Sequence, residues 1–406
     1  MTERSIGLGR TILAAAVVGA IGWVGLIAVA VQLWAISPAT LGFDLELLLQ
    51  AGRDIAAGRS PYAPELIAGG PPVATGLFYS YPPPVGQALV PFVSMPTVVA
   101  LVAWGVLATV GHLVVSELLR RRLAPHRPAL AVTAIALTTV PLTLPLAVGL
   151  LFGNLDAFFP LLYGLMLVAT LTPGGSAGLA GGAALSVAAL KLHPASMGLW
   201  FLVRAYRDRG SGAGRVVGGA LIAAVAIVVM SVVVGGPQAW LDYASVVRAG
   251  SNAIVVDARN AGIAATIAGA LGGGDGLARS LHLVVGGAAV AITAWSAWRR
   301  ADPLERFAWA AAASLATLPV TWYHYPSALV PVAMAAWLRA DGADRRRVVI
   351  ALVSALAVAA VAIAAVILVW GAIALVILAS RWSRPWPAVD QPASPAASTI
   401  AAPGAG

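Results

Sequence analysis

Residues 11–37 have the sequence TILAAAVVGAIGWVGLIAVAVQLWAIS, a run without a charged side chain. A helix needs about 20 predominantly apolar residues to cross the roughly 30 Å of bilayer hydrocarbon. The apolar core of a secretory signal is shorter, about 7–15 residues, and here many similar runs follow. The stretch therefore predicts a retained membrane-spanning helix, with Arg4 and Arg10 on the cytoplasmic side.

The composition extends this conclusion to the whole chain. Of the 406 residues, 60% are hydrophobic and 10% charged, whereas soluble domains carry about 25% charged residues. A soluble enzyme is excluded, and so is a disordered chain, which would be polar. The sequence predicts an all-α polytopic membrane domain over residues 1–384. A tail over residues 385–406, rich in Pro, Ala and Ser, is predicted to be disordered.

Charge and cysteine content narrow the function further. Lys and Arg number 25 against 16 Asp and Glu, giving a net charge of +9. The basic residues cluster between apolar runs, as in Arg120–Arg122 and Arg345–Arg347, which is the pattern that orients spans in a bilayer. Nucleic acid is therefore not an expected partner. The chain has no cysteine, so disulfides, thiol chemistry and cysteine metal sites are excluded.

The runs and basic segments together predict about eleven or twelve passes. Pro141 and Pro145 predict kinks in the span over residues 128–152. A break at residues 191–194 is predicted because it leaves the following arginines on the cytoplasmic side.

The last apolar stretch, residues 348–380, is also predicted to be broken. As one helix it would be about 50 Å long at about 1.5 Å per residue, which exceeds the bilayer. We expect two short passes that meet near Trp370 and Gly371.

A long segment, residues 38–84, is predicted to lie at the outer face. Apolar residues recur at helical spacing over 43–57, which predicts an amphipathic helix at the membrane surface. Gly58 fits the left-handed residue that commonly ends a helix. Asp44 and Glu46 lie two positions apart, so they point to different sides of this helix. Residues 235–260 are predicted to form a second outer loop.

Polar residues beside apolar spans are functional candidates, because burying them near lipid is costly. Each also has a structural alternative: helix-start stabilisation by Asp44 and Glu46, snorkelling by Lys191, packing by His193 and His324, and a turn at Asn154–Asp156. Separate segments are expected to converge at the outer face. The candidate site residues are Asp44, Glu46, Tyr62, Tyr81, Asn154, Lys191, Arg259, Asn260 and His324.

Two expectations concern the substrate and the metal. The chain contains no Gly-x-x-x-x-Gly-Lys-Ser/Thr and no strand–glycine–helix unit, which favours a membrane-borne substrate over a nucleotide donor. Metal-ligand spacing is also lacking, so no obligatory metal is expected.

The order of these elements resembles glycosyltransferase family 87, whose members are multi-pass enzymes of the GT-C fold that use polyprenyl-phosphate sugars. The resemblance extends from about Asp44 to Arg347. It rests on five short segments: Gly58-Arg59-Ser60-Pro61-Tyr62, Tyr79-Ser80-Tyr81-Pro82-Pro83, Gly153-Asn154-Leu155-Asp156, Lys191-Leu192-His193-Pro194 and Thr321-Trp322-Tyr323-His324-Tyr325. The third is similar to a Gly-Gln-x-Asn turn, and the last to Ser-Trp-x-His-His. A sixth, weaker segment, Asn260-Ala261-Gly262-Ile263, resembles an Asn-Gln-Ser stretch.

The resemblance implies a membrane glycosyltransferase of the mycobacterial type, acting at the outer face of the plasma membrane. Asp44 would be the catalytic carboxylate, and Lys191 and His324 would meet the lipid phosphate, with Arg259 a weaker candidate. The implied donor is a polyprenyl-phosphate sugar, the acceptor a cell-envelope glycolipid or glycan, and the transfer proceeds with inversion. No cofactor beyond the lipid-linked donor is implied.

Several alternatives remain open at this point. Mannose is favoured as the sugar, with arabinofuranose as the second possibility. A transporter or flippase for a lipid or solute would account for Lys191 in mid-span but not for the long outer segment. A non-catalytic assembly scaffold is the third alternative.

Overall fold

The computed structural model describes residues 3–70, 78–172, 175–250 and 255–383. Within these ranges the regular structure is entirely helical, in agreement with the predicted all-α membrane class. The positions expected for the side chains of Arg4 and Arg10, and the disordered tail expected from Pro385, lie outside the described residues.

The described α-helices are numbered in chain order. The first nine are α1 (Glu3–Ile36), α2 (Phe43–Ala56), α3 (Pro64–Ile67), α4 (Pro83–Leu89), α5 (Thr97–Leu123), α6 (Ala129–Leu142), α7 (Leu144–Phe152), α8 (Phe159–Leu171) and α9 (Gly175–Ala189). The others are α10 (Ser196–Arg207), α11 (Ala213–Gly235), α12 (Gln238–Gly250), α13 (Ile263–Ala270), α14 (Asp275–Trp298), α15 (Pro303–Leu315), α16 (Val330–Arg339), α17 (Gly342–Val361) and α18 (Val369–Trp382).

Four of these helices contain segments long and apolar enough to cross a bilayer: Ile12–Ile36 in α1, and the whole of α5, α11 and α14. The bent pair α6 and α7 forms a fifth candidate if it is counted as one span. Shorter apolar helices cover Leu155–Leu171, Gly175–Ala189 and Val366–Trp382. The chain is thus a polytopic membrane protein, and the count of eleven or twelve passes stays a prediction.

The breaks within the apolar runs have local causes. Helices α6 and α7 meet at an angle of 70°, which confirms the predicted kink at Pro141 and Pro145. The chain between α9 and α10 is broken at residues 190–195, where Leu192 has a positive φ of 66°. Proline cannot donate a backbone hydrogen bond, and Pro194 stands in this break.

The predicted break near Trp370 and Gly371 is wrong in position. The chain leaves the α17 helix after Val361 and re-enters a helix at Val369, so both residues lie inside α18. Gly371 faces α17, where an added Cβ would stand 3.4 Å from Val358. This is an ordinary van der Waals distance, and the turn between the two helices falls at residues 362–368.

The sequence predicted one of the two expected outer segments, residues 38–84, better than the other, residues 235–260. Helix α2 ends one residue before the predicted boundary, and Gly58 has the expected left-handed φ of 71°. The segment 235–260 was predicted as a loop, but it contains the 13-residue helix α12. Buried Tyr243 and Val246 of α12 pack into the same cluster as buried residues of α2, and this tertiary packing is not visible in the local pattern.

Polar groups separate to the two ends of the bundle. Helix α5 begins at Thr97, whose hydroxyl donates to Glu46 of α2 at 2.5 Å, and ends at Arg120–Arg122. At about 1.5 Å per residue its 27 residues are about 40 Å long. We call the arginine-rich end of the bundle the basic end. Its segments are held together by contacts such as the hydrogen bond from Arg127 to the Ala340 carbonyl (2.8 Å) and the ion pair of Arg339 with Asp302 (2.7 Å).

Close packing of α9 against α11 depends on glycine. A Cβ on Gly182 would overlap the backbone carbonyl oxygen of Val216 and lie 2.5 Å from the amide nitrogen of Ala220. Small residues allow two helices in a membrane to approach backbone to backbone. The hydroxyl of Ser186 on α9 uses this proximity to donate to the Ala220 carbonyl at 2.7 Å.

We therefore expect Gly182→Ala to destabilise the protein by about 1–3 kcal/mol, because the added methyl group must push two backbones apart. Gly218→Ala on α11 is the matched control, since a Cβ there has nothing within 4 Å, and its better helix propensity stabilises by up to about 1 kcal/mol. Thermal unfolding in detergent, followed by tryptophan fluorescence, measures both. Equal melting temperatures for the two variants would contradict the packing argument.

Candidate functional site

The site is built where α2 meets the turn after α7. The amide of Gly42, just before α2, donates to the Leu151 carbonyl at 2.8 Å. Gly153 has a φ of 67° and lies so close to α2 that an added Cβ would stand 2.5 Å from the Cβ of Leu45. Glycine is required here both by the backbone angle and by the approach. This docking places Asp44 beside the side chains of the 153–156 turn.

Asn154 joins Asp44 to Lys191. Its side-chain amide nitrogen donates to Asp44 Oδ2 at 2.7 Å, and its side-chain oxygen accepts from Lys191 Nζ at 2.6 Å. The same oxygen accepts from the Asp156 backbone N–H at 3.0 Å, and Trp104 Nε1 donates to the Asn154 carbonyl at 3.1 Å. Three partners thus fix the orientation of the side-chain amide, and Trp104 holds the backbone of the same residue.

Asp156 lies beneath this contact, beside Lys191 and His324. Its carboxylate is completely buried, with Oδ1 at 2.7 Å from Lys191 Nζ and Oδ2 at 3.2 Å from His324 Nε2. The Lys191 contact is at ion-pair distance. Burial and the Lys191 charge lower the pKa of His324 well below its usual value, so its ring is a neutral neighbour, and neither contact has the alignment of a good hydrogen bond. A buried carboxylate needs the Lys191 counter-charge, because its desolvation is otherwise strongly unfavourable.

Aromatic rings surround the Lys191 ammonium. It lies 4.9 Å from the centroid of the Tyr325 ring and 5.9 Å from that of Tyr81, both within the range of cation–π attraction. Tyr325 in turn stacks on His193 with ring centroids 4.6 Å apart. The broken segment between α9 and α10 thus turns Lys191 toward Asn154 and Asp156 and places His193 behind them.

The carboxyl group of Asp44 differs from that of Asp156. Asp44 is only partly buried, and its Oδ1 makes no hydrogen bond with the residues that the structure describes. Partial burial raises the pKa of Asp44, while the Asn154 hydrogen bond and the nearby Lys191 charge lower it by smaller amounts. Asp44 therefore offers one unoccupied oxygen on an oriented carboxylate.

Other candidate residues make contacts away from Asp44. Glu46 pairs with Arg53 and accepts from Thr97, so the two acids of α2 do face different sides, as predicted. Glu46 also contributes to an approximately 300 Å³ cavity with apolar walls that include Trp34 and Leu101.

Tyr62 and Asn260 have structural contacts. The Tyr62 hydroxyl donates to the Tyr81 carbonyl at 2.9 Å, and its ring packs 5.4 Å from that of Tyr79. Asn260 Oδ1 accepts from the backbone of both Gly262 and Thr321 at 2.8 Å. It thereby ties the segment before α13 to the segment that carries His324.

Arg259 lies in a separate, exposed pair. Its guanidinium contacts both carboxylate oxygens of Asp257, at 2.9 and 2.7 Å. This interaction lowers the pKa of Asp257 to about 2. The pair has no described contact with Asp44, Lys191 or His324.

Asp156 is the site residue that the sequence analysis treated only as part of a turn. The available signal was the position of an acidic residue directly before an apolar helix, in the segment similar to Gly-Gln-x-Asn. Its role depends on Lys191 and His324, which lie 35 and 168 positions further along the chain, so spacing alone could not identify it. Among the described residues no group of three or more acidic or histidine side chains could hold a metal ion.

Comparison with known families now assigns the chain. The model of glycosyltransferase family 87 matches residues 79–321, more than half of the sequence. The chain belongs to this family and is therefore a membrane glycosyltransferase. No curated protein matches the sequence. The matched range includes Asn154, Asp156 and Lys191, whereas Asp44 precedes it and His324 follows it.

The buried ion pair of Asp156 and Lys191 predicts how single and double variants change the stability of the protein. Lys191→Met leaves the Asp156 carboxylate without its closest counter-charge, so we expect a loss of about 3–5 kcal/mol. The double variant Asp156→Asn/Lys191→Met removes both charges and should recover most of that loss. Thermal unfolding of the wild type and the three variants of this cycle measures the coupling. An additive cycle, without recovery, would show that the pair is not energetically coupled.

Proposed function

We propose that the enzyme transfers a sugar from a polyprenyl-phosphate donor to a hydroxyl of a cell-envelope glycolipid or glycan, with Asp44 as the general base. The observation that carries the proposal is the partly exposed Asp44 carboxylate, fixed through Asn154 beside Lys191. A sugar hydroxyl is a weak nucleophile at neutral pH, and a positioned carboxylate can accept its proton during attack.

In this reaction the acceptor oxygen forms a bond to the anomeric carbon while the bond from that carbon to the phosphate oxygen breaks. The electron pair of the broken bond goes to the lipid phosphate, and the hydroxyl proton goes to Asp44 Oδ1. Asp156 is completely buried and already paired, so Asp44 is the carboxylate available at this position. One available carboxylate supports a single displacement with inversion, without a covalent glycosyl-enzyme intermediate.

The departing phosphate requires positive or hydrogen-bonding partners. The Lys191 ammonium has three N–H groups. One donates to Asn154 at 2.6 Å, and the ammonium lies 2.7 Å from Asp156 Oδ1, so N–H capacity remains for the phosphate. His324 is held on the other side of Asp156 and would assist. Tyr81, whose ring faces Lys191, would position the sugar. Glu46, Tyr62, Arg259 and Asn260 would support the surrounding segments.

The orientation of the site follows from the charge distribution. Arginines cluster at the basic end of the bundle, and Asp44 lies at the other end of the membrane-length helix α5. The positive-inside rule puts the basic end in the cytoplasm. We therefore propose an extracytoplasmic active site in the plasma membrane, with residues 38–84 as its catalytic segment. Mannose is the favoured sugar, and arabinofuranose is the alternative.

One assay tests both the identity of the sugar donor and the role of Asp44 as the base. Purified enzyme and crude envelope lipid are incubated with polyprenyl-phosphate-mannose or, separately, with its arabinose counterpart. We expect a mannosylated product from wild type and a loss of about 10²–10⁴-fold in rate for Asp44→Asn. Asp54→Asn is the matched control on the same helix, since Asp54 pairs with exposed Arg59. Near-normal turnover by Asp44→Asn would refute the assigned base, and product from the arabinose donor alone would reassign the sugar.

The pH dependence tests the environment of Asp44. A base works only when deprotonated, so activity falls as the pH drops through the pKa of Asp44. Because burial raises that pKa, the acidic limb of the pH–activity profile should have its midpoint above the ordinary aspartate pKa of about 3.9. Asn154→Ala removes a hydrogen bond that lowers the pKa, so its limb should move to higher pH than that of wild type. A limb that moves to lower pH, or stays fixed, would contradict this assignment.

A further inference from the structure

The basic end carries an apolar groove that the transfer reaction does not use. It lies between α10 and α14 and has a volume of about 540 Å³. Its lining residues are Leu202, Val203, Tyr206, Ala294, Trp295 and Trp298. Tyr206 and Trp298 stack with ring centroids 6.4 Å apart and are 73% and 55% exposed. Tyrosine and tryptophan are characteristic of the membrane–water interface.

Two arginines extend the groove into a polar region. The Arg299 guanidinium lies 4.4 Å from the centroid of the Trp295 ring, and that of Arg207 lies 5.8 Å from Trp298. Arg207 also donates to the Arg299 carbonyl at 3.0 Å, which connects the ends of α10 and α14. The tryptophans that line the apolar part are therefore in contact with the cations at its polar end.

This polar region has more positive than negative charge. The segments 204–209 and 299–306 contain six arginines and three acidic residues. One of those acids, Asp302, contacts Arg339 through both carboxylate oxygens at 2.7 Å. Arg209 and Arg300 are exposed and form no ion pair with residues in the described ranges.

One of the six arginines, Arg204, is buried. Arg204 is 5% exposed, and its Nε has no hydrogen-bond partner within the described part of the chain. Its guanidinium lies 4.8 Å from the centroid of the Trp200 ring. The positive charge next to the groove is therefore incompletely neutralised by the protein.

We propose that this groove binds one anionic phospholipid. A hydrocarbon chain lies along the apolar wall, and the phosphate is bound by the exposed Arg209 and Arg300. Arg207 and Arg299, which already pair with Asp208 and Glu305, add positive charge beside it. Basic pockets between helices at this depth suit acidic head groups, while the apolar wall requires a ligand with a chain. The site lies at the opposite end of the bundle from Asp44, so it is independent of the sugar donor.

Native mass spectrometry of the purified protein tests the proposal. The full chain is incubated with equimolar phosphatidylglycerol and phosphatidylcholine of identical chains, and the retained lipids are counted. We expect one phosphatidylglycerol to be retained in preference to phosphatidylcholine, with a preference of about tenfold or more. Inorganic phosphate at equal concentration should not displace it, because phosphate has no chain. Equal retention of the two lipids, or displacement by phosphate, would overturn the proposal.

Two variants distinguish the contribution of the arginine charges from that of the apolar groove. Arg209→Gln/Arg300→Gln should reduce the preference about tenfold, and Ala294→Phe should weaken retention by filling the groove without changing any charge. Arg345→Gln/Arg346→Gln is the matched control, since it removes two exposed charges from the start of α17, outside the groove. A loss in the control as large as that in Arg209→Gln/Arg300→Gln would show that only general surface charge is involved. Full retention in Ala294→Phe would equally contradict a lipid chain in the groove.

Discussion

The contact between α2 and the 153–156 turn determines whether the Asp44 carboxylate and the Lys191 ammonium come together. Asp44 lies on a helix outside the candidate spans, whereas Asn154 follows the bent pair α6 and α7 and Lys191 lies in the break before α10. Only the close approach at Gly153, together with the hydrogen bond from Gly42 to Leu151, brings these segments within reach of one amide side chain. The catalytic proposal therefore depends on a backbone contact as much as on the charged groups themselves.

The distribution of charge around this contact explains why two carboxylates can have different roles. Asp156 is enclosed and contacts Lys191 and His324, so its charge contributes to the structure. Asp44 is linked to Lys191 through the Asn154 amide and remains partly open, which is the basis for proposing it as the base. Environment, rather than residue type, distinguishes the supporting acid from the proposed base.

The sequence predicted the features that depend on neighbours along the chain. Helix α2, its glycine stop at Gly58 and the kink at Pro141 and Pro145 each follow from a local pattern, and the structure confirms them. The turn at residues 362–368 falls a few residues before the predicted break, and helix α12 was missed because packing against other helices, rather than local propensity, decides it. The pairing of Asp156 was missed for the same reason, since its partners come from two remote segments.

The position of Asn154 limits which side chain can stand there. Its nitrogen faces a carboxylate and its oxygen faces an ammonium, so the residue must be a donor at one atom and an acceptor at the other. An aspartate would gather three acids around one lysine. A leucine would leave the Asp44 carboxylate without its hydrogen bond and Lys191 with Asp156 as its polar partner. Gly153-Asn154-Leu155-Asp156 resembles a Gly-Gln-x-Asn turn, in which glutamine stands at this position. Glutamine has the same amide on a longer side chain. Exchange between the two amides would preserve the polarity of the link while changing how closely α2 must approach.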